Sequence, residues 1–419
     1  FAAFVCALAD VWEATWIGHR KRLMDASLIL WLLLPVAAAS GWFAATRATA
    51  VRAKRGGRAE LTSEYFKGIN YVLNEQPDKA IEVFIKVLEV DAETVETHLA
   101  LGNLYRRRGE VDRAIRIHQN LVARSTASDE QRYDALAELA EDYLSAGLLD
   151  RAENLFRELV EVEHHTEQAL RQLLDVYEQE KDWENAVVIA DKLARLTGAE
   201  LGDVIAQYRC EQAEQARENG QRNEALQWLA SALEAFPGCV RASIVEGDIR
   251  AEAGELSAAL EAYARVEQQD PDYVPEVVER TVRCLEALGA PDRARNYLEK
   301  MHQGHGGMTA MLALAERLRH EEGVAAAIDF VVDALSRRPT LRGFEWLLEL
   351  RAEENGGRDD DSPSARHWSV LQRLTASLLE DRPIYRCGHC GFPAKLLHWR
   401  CPGCKHWSSV RPIHGVEGE

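Results

Sequence analysis

The chain has 419 residues, of which 28% are charged, and its formal net charge at pH 7 is -18. Because such a charge repels phosphate groups, binding of nucleic acid by the body of the chain is disfavoured. Leu, Ala, Glu and Arg dominate while β-branched runs are scarce, which predicts an all-α protein over most of its length. The sequence lacks a Gly-rich phosphate loop, a His-Glu-x-x-His motif and a Gly-x-Ser-x-Gly elbow, so we do not expect an enzyme.

Residues 1–23 begin with Phe1 and carry no repeat, and Met24 stands just before an apolar segment. We interpret 1–23 as an upstream extension that is foreign to the natural protein, with Met24 as its start. Residues 24–46 contain the uncharged stretch Leu28–Thr46, which is long enough to cross a hydrocarbon core of about 30 Å. The prediction is a single transmembrane helix; a cleaved secretory signal, with Ala-Ala-Ala-Ser at 37–40, is the alternative.

The next segment, residues 47–62, is a basic juxtamembrane stub. Five cations follow the apolar stretch before the first acid, Glu60: Arg47, Arg52, Lys54, Arg55 and Arg58. Since positive charge is retained on the cytoplasmic side, we expect an uncleaved anchor with the body of the protein in the cytoplasm.

Residues 63–340 carry one short pattern eight times, a turn residue followed five positions later by a small or aliphatic residue. Successive copies lie 34 to 39 residues apart, which is typical of a helix-turn-helix array and resembles the tetratricopeptide repeat. A tight reversal favours Gly in a left-handed conformation, and a small residue lets the two helices approach closely. The pairs are Glu75/Ala80, Gly109/Ala114, Gly147/Ala152, Lys181/Ala186, Gly220/Ala225, Gly254/Ala259, Gly289/Ala294 and Gly323/Ile328.

The crossing partner on the first helix is expected twelve residues before each of these small residues. An aromatic residue follows four positions after three of them, as Phe84, Phe156 and Tyr263. The predicted partners are Gly68, Gly102, Ala140, Leu174, Ala213, Gly247, Val282 and Glu316.

After the array, residues 341–382 are predicted to form capping helices and a linker, because Asn355–Ser364 is a solvated loop by composition and His367–Glu380 is amphipathic. Residues 383–412 form a separate small domain that is rich in Cys and aromatic residues and has no acid between 383 and 411. Residues 413–419 are a tail.

The small domain carries the strongest chemical signal, two Cys-x-x-Cys pairs separated by ten residues. Four thiolates, from Cys387, Cys390, Cys401 and Cys404, complete a tetrahedral metal site. In a domain of about 30 residues the metal supplies much of the folding free energy, on the order of 10 kcal/mol or more. The pattern resembles a rubredoxin-like ribbon, and the ligand type suits iron and zinc equally.

The ribbon also has aromatic and basic residues, including Trp399 and Trp407. They are suited either to contact with nucleic acid or to docking of the ribbon on the acidic helices, and we favour docking. The neighbouring histidines, His389, His398, His406 and His414, are interpreted as surface or packing residues because four sulfurs already complete a tetrahedron.

The order of parts resembles the lipopolysaccharide assembly protein B family of Gram-negative bacteria. The likeness runs from Met24 to the C-terminus and is strongest at 101–121, at YRCGHCGF (385–392) and at HWRCPGCKHW (398–407). It implies an inner-membrane protein facing the cytoplasm that restrains lipopolysaccharide synthesis by promoting degradation of the deacetylase LpxC by the protease FtsH. Further implied partners are lipopolysaccharide transport proteins and an inner-membrane regulator, and the implied cofactor is a rubredoxin-type metal held by the four cysteines.

A groove lined by the first helix of each repeat is suited to binding protein segments. Asn103, Arg106 and Arg107 fall on such a helix and are candidates for gripping an acidic segment or a C-terminal carboxylate of a partner, with ordinary solvated residues as the alternative. Two other functions stay open, a metal- or redox-sensing ribbon protein and an envelope-assembly scaffold without a role in proteolysis. The sequence leaves open whether the chain forms a homo-oligomer.

Overall fold

The computed structural model describes residues 64–90, 94–125, 128–304, 307–354, 363–380, 382–416 and 418, together with residues 40, 42, 43, 45 and 47. Residues 64–73 form α1. The other helices are α2 Pro77–Val90, α3 Val95–Arg107, α4 Val111–Val122, α5 Asp129–Ser145, α6 Leu149–Glu161, α7 Thr166–Glu180, α8 Trp183–Thr197, α9 Gly202–Glu218, α10 Arg222–Ala235, α11 Val240–Glu252, α12 Leu256–Gln269, α13 Val274–Ala287, α14 Pro291–Gln303, α15 Gly307–Glu321, α16 Val324–Arg337, α17 Leu341–Glu354 and α18 Pro363–Glu380.

The chain divides into two compact units, Phe1–Leu155 and Phe156–Glu419. In the first unit α2 packs on α3, α3 on α4 and α4 on α5. In the second unit every helix from α7 to α17 contacts the helix that follows it. The described part of the chain is therefore a helical repeat solenoid, as predicted, in which odd-numbered helices are the first and even-numbered helices the second of each pair.

Close crossing of the paired helices depends on the predicted small residues. The seven alanines at the repeat position on the second helix, Ala80 to Ala294, are fully buried, and Ile328 in the eighth repeat is 1% exposed. Three first helices carry Gly opposite an aromatic ring of the second helix. A Cβ atom on Gly68 would come within 2.5 Å of Phe84, and one on Gly247 within 2.3 Å of Tyr263. In the second repeat His118 takes the aromatic place, 2.3 Å from a Cβ atom built on Gly102.

The turns inside the repeats confirm the predicted reversal positions. All eight turn residues have a positive φ, from 55° at Glu75 to 99° at Gly323. In the first and fourth repeats a residue with a side chain, Glu75 or Lys181, adopts this left-handed conformation, which costs about 1–2 kcal/mol compared with Gly.

The ribbon at the C-terminus is a three-stranded antiparallel sheet in the order β2-β1-β3. Its strands are β1 Tyr385–Cys387, β2 Pro393–Ala394 and β3 Val410–Pro412. Tyr385 pairs with Ala394 on one side and with Pro412 on the other. A further bridge joins Arg400 to Trp407 and closes the loop that carries the second Cys-x-x-Cys pair.

The predicted anchor, residues 24–46, lies outside the described residues except at positions 40, 42, 43 and 45. Within the described ranges, no helix combines the length and the apolar composition needed to cross a bilayer. The predicted extension 1–23 and most of the basic stub 47–62 also lie outside the described residues.

Replacing Lys181 by Gly is expected to stabilise the protein by about 0.5–1 kcal/mol, because Gly removes the strain of φ 57° at this turn while the greater entropy of Gly in the unfolded chain offsets part of the gain. The measurement is urea-induced unfolding followed by circular dichroism. Gly254→Lys is the mirror control: at φ 79° it should lower stability by a similar amount. A loss of stability in Lys181→Gly would contradict the role given to this turn.

Candidate metal centre

The two Cys-x-x-Cys pairs sit on two tight loops of the ribbon that face each other. The first loop follows β1, where the N–H of Gly391 donates to the carbonyl of Cys387 at 2.9 Å and Gly391 has φ 78°. The second loop has the matching bond from the N–H of Lys405 to the carbonyl of Cys401, also at 2.9 Å. Each loop therefore turns both of its thiols toward one point.

The four sulfur atoms have the spacing that a tetrahedral metal ion needs. Cys387 Sγ lies 3.7 Å from Cys404 Sγ, and Cys390 Sγ lies 3.7 Å from Cys401 Sγ. All four atoms lie within 4.8 Å of one another. A metal–sulfur distance of about 2.3 Å gives sulfur–sulfur edges of about 3.8 Å in a regular tetrahedron. The predicted ligands are thus brought together, and they suit one metal ion with no open coordination position.

The surroundings of Cys387 favour the thiolate that a metal requires. Burial opposes ionisation, yet hydrogen bonds involving Ser409 and the backbone N–H groups of Cys390 and His389 lower the pKa of Cys387 to about 5. Ser409 Oγ lies 3.3 Å from the sulfur, and the N–H of Cys390 donates to it at 3.5 Å.

The histidines near the centre have other partners. The rings of His389 and His406 stack with centroids 3.6 Å apart on the exposed side of the loops, and His414 Nε2 lies 3.4 Å from Asp272. His389 and His406 also form, with Cys404, a second group of close ligand atoms. Because Cys404 belongs to the tetrahedron of sulfurs, the four-cysteine set is the more complete site.

The ribbon is held on the second unit by a buried carboxylate, that of Glu178 in α7. Glu178 is 8% exposed and forms an ion pair with Arg400. It also accepts hydrogen bonds from Trp407 Nε1 at 2.9 Å and from the hydroxyl of Tyr208 at 2.6 Å. Burial and the adjacent Glu178 carboxylate raise the pKa of Tyr208, so this hydroxyl stays a donor at physiological pH. Three donors thus compensate the desolvation of one carboxylate.

Aromatic rings surround this ion pair and extend the contact. Trp407 meets Trp183 and Tyr208 edge to face, with centroids 6.1 and 5.9 Å apart. Trp399 stacks on Tyr273 with centroids 5.6 Å apart. Such pairs add about 0.5–1.5 kcal/mol each beyond the area they bury.

Polar contacts complete the interface along α9 and α13. Gln207 Nε2 donates to Ser408 Oγ at 3.0 Å, and the hydroxyl of Tyr385 donates to Glu276 at 2.7 Å. Arg411 pairs with Asp270 and Asp272 at 3.3 and 3.1 Å. The structure therefore confirms the predicted docking for Trp399, Trp407, Arg400 and Arg411.

This docking changes what is expected of the groove that the first helices of the repeats line. The contacting residues come largely from first helices: Glu178 from α7, Gln207 and Tyr208 from α9, and Glu276 from α13. Val240 and Ile244 of α11 belong to the same apolar cluster as Leu397 and Trp399 of the ribbon. In these repeats the first-helix face, expected to bind a partner segment, is covered by the ribbon of the same chain.

The predicted partner-binding residues lie in the first unit, on α3. The guanidinium of Arg106 is held there by Glu138 and Asp142, both at 2.7 Å. Asp142 is fully buried and its other oxygen lies 2.6 Å from Nδ1 of the equally buried His118. Arg107 is exposed.

Asn103 is half-buried, and its Oδ1 is buried without a hydrogen-bond partner among the described residues. A role of Asn103, Arg106 and Arg107 in partner binding stays a prediction.

Sequence reasoning missed the residues on the helices that receive the ribbon, above all Glu178 and Tyr208. The chain has 68 acidic residues, so no local signal separates Glu178 from the solvated ones. Its partner Arg400 is 222 residues away in sequence, and only the folded chain brings the two together.

Known proteins match both parts of the chain. Residues 385–412 match the family described as rubredoxin metal binding domain, and residues 97–132 and 210–274 match tetratricopeptide repeat families. Lipopolysaccharide assembly protein B of Escherichia coli strain K12 is 37% identical over 391 residues, which cover 93% of this chain and 99% of that protein. The chain belongs to the lipopolysaccharide assembly protein B family. The Haemophilus influenzae member is 33% identical over 398 residues, with the same coverage of both chains.

In this family member, Cys401→Ser is expected to abolish metal binding, because three sulfurs leave the tetrahedron incomplete. Elemental analysis of the purified protein measures the metal, and circular dichroism should show that the repeats stay helical. Cys284→Ser is the matched control: Cys284 lies in α13, 4% exposed and outside the ribbon, and its replacement should leave one ion per chain. Full metal content in Cys401→Ser would show that the ligand assignment is wrong.

Glu178→Ala is expected to release the ribbon without loss of metal. The change leaves Arg400 and the indole N–H of Trp407 without their acceptor, and removing one partner of a buried pair costs about 3–5 kcal/mol. Cleavage by trypsin after Arg400 should become faster, while elemental analysis still finds one ion.

The control for this release is Glu167→Ala, also on α7. Glu167 pairs with Arg171 at 2.9 Å, and both side chains are more than half exposed. Exposed pairs of this kind contribute little to stability, so the tryptic cleavage rate should be unchanged. Equal cleavage rates in Glu178→Ala and the unmodified chain would argue against the assigned role of Glu178.

Proposed function

We propose that this chain is a non-enzymatic regulator of lipopolysaccharide assembly, an adaptor that binds proteins through its repeats. The relatives named lipopolysaccharide assembly protein B match it over 93% of its length, and tetratricopeptide repeats are protein-binding modules. The observation that supports the proposal is the position of the ribbon, because the first-helix face of these repeats accommodates a folded surface of the same chain.

More specifically, the adaptor is anchored in the inner membrane with its body in the cytoplasm and promotes degradation of the LpxC deacetylase by FtsH. The anchor is the apolar stretch Leu28–Thr46, and the five cations that follow it retain the repeats in the cytoplasm. An adaptor that is anchored in the same bilayer as a membrane protease meets that protease at a higher effective concentration. The domains of the adaptor are those predicted from the sequence, with repeats over 63–340 and the ribbon over 383–412.

The test is the half-life of LpxC in cells that contain or lack the chain. Depletion should lengthen the half-life several-fold, the full chain should restore it, and a chain lacking Leu28–Thr46 should not. Cys401→Ser should fail to restore it, whereas the control Cys284→Ser should succeed. An unchanged half-life on depletion would overturn the role in proteolysis and would favour the hypothesis of an envelope-assembly scaffold.

A metal-sensing function is the second candidate, and one observation favours it. Arg400 and Trp407, which hold the ribbon on Glu178, are joined by a backbone bridge; Arg400 immediately precedes Cys401, and Trp407 follows Cys404 by three residues. Loss of the metal would make this loop less ordered and would thereby weaken the docking of the ribbon on the helices. The hypothesis requires that chelation raise the rate of tryptic cleavage after Arg400; a redox version also requires bound iron, since zinc has no redox chemistry.

A further inference from the structure

The last helix of the solenoid, α18, exposes a continuous apolar stripe. Val370, Leu374 and Leu378 recur every four residues, and Leu371 lies beside them on the same face of the helix. Leu374 and Leu378 are 58% and 56% exposed. Among the described side chains of α18, Thr375 alone is buried. The helix packs on α17, but this stripe is left uncovered within the described part of the chain.

Such a stripe is unusual at the end of a repeat array. The terminal helices of a solenoid normally present a polar outer face, because no further repeat covers them. On α18 the polar residues Ser369 and Glu380 lie away from the stripe and Arg373 and Ser377 border it, so the helix is amphipathic with an exposed apolar stripe. An uncovered face of this kind marks a surface that binds something.

The charge around the stripe indicates what it binds. From His367 to Val416 the sequence has seven Arg and Lys residues and two acids, in a chain whose net charge is -18. Arg400 and Arg411 pair with acids of the solenoid, and the other five cations are Arg373, Arg382, Arg386, Lys395 and Lys405. Arg373 flanks the stripe, and Arg382 lies at the C-terminal end of α18, where its Nε donates to the carbonyl of Leu378 at 3.2 Å.

The ribbon adds to this surface at the same end of the helix. Lys395 Nζ donates to the carbonyl of Glu380 at 2.7 Å, and the following residue, Leu396, is 72% exposed. The Lys395–Leu396 corner of the ribbon therefore lies at the C-terminal end of α18. We call the stripe, with Arg373, Arg382 and this corner, the α18 surface.

We propose that the α18 surface docks on an anionic lipid bilayer. An amphipathic helix with Leu on one side and basic residues beside it lies in the headgroup region, where the leucines reach the acyl boundary and the cations meet lipid phosphates. A second copy of the chain is a poorer occupant, because pairing two α18 surfaces brings like charges together. The docking is separate from the proposed N-terminal anchor and places the repeats and the ribbon close to the membrane surface.

The test is amide hydrogen exchange of residues 367–380 in the full chain, measured by mass spectrometry. The chain is reconstituted in vesicles of phosphatidylcholine alone, or of phosphatidylcholine mixed with phosphatidylglycerol. Because few side chains of α18 are buried, its amides are expected to exchange readily when the stripe is free. We expect exchange to slow about tenfold or more in the anionic vesicles, and raised salt to reverse part of this effect.

Two variants test the apolar stripe and the basic residues beside it separately. Leu374→Asp should abolish the slowing, and Arg373→Glu should weaken it while leaving the apolar stripe intact. Leu196→Asp is the matched control: Leu196 lies on α8, is 54% exposed, and should leave the slowing unchanged. Exchange in residues 166–303, recorded in the same spectra, verifies that each variant is folded.

Three results would overturn the proposal. Exchange as fast in both kinds of vesicle as in detergent would show that α18 does not dock on the bilayer. Equal slowing in both kinds of vesicle would show that charge does not direct the contact. Slow exchange in detergent that depends on protein concentration would identify a second copy of the chain as the occupant.

Discussion

The position of the ribbon depends on one buried carboxylate. Glu178 is almost fully removed from water, and a charge in such a place is tolerated only when its oxygens are saturated with donors. One donor, Tyr208, belongs to the solenoid, and two, Arg400 and Trp407, belong to the ribbon. If the ribbon leaves, the carboxylate keeps one partner of three. The docked state therefore requires both ribbon donors, because they compensate the desolvation that docking imposes on the carboxylate.

The metal centre and the docking contacts are parts of one structural element. The loop between β2 and β3 holds Cys401 and Cys404 toward the metal and Arg400 and Trp407 toward the helices. A domain of this size has too small a core to hold such a loop by packing alone, so the metal fixes the backbone from which both docking side chains project. Docking in turn covers Trp399 and Trp407, whose exposure would otherwise leave a large apolar area in water.

The sequence predicted the features that repeat or that follow from close spacing. The period near 34 residues located Ala186 and Lys181 at their crossing and turn, because a helix crossing and a reversal each restrict residue type locally. The four cysteines were assigned because two Cys-x-x-Cys loops form a metal site without help from the rest of the chain. The acceptor Glu178 escaped prediction because its role is set by a residue 222 positions away. Likewise, nothing local to Arg106 indicates that Glu138 and Asp142 hold its guanidinium.

The ribbon also indicates which partners suit the first-helix face of the second unit. Glu178, Asp270, Asp272 and Glu276 bind Arg400, Arg411 and the hydroxyl of Tyr385, so this face selects basic and aromatic side chains. A partner segment that binds here must displace the ribbon, and like-charge repulsion disfavours an acidic segment on these carboxylates. Binding of an acidic or carboxylate-terminated segment by Asn103, Arg106 and Arg107 of the first unit stays a prediction, and of these residues Arg107 is exposed. For the first-helix face of the second unit, the contacts of the ribbon predict the opposite preference, a basic or aromatic segment that competes with Arg400, Arg411 and Tyr385.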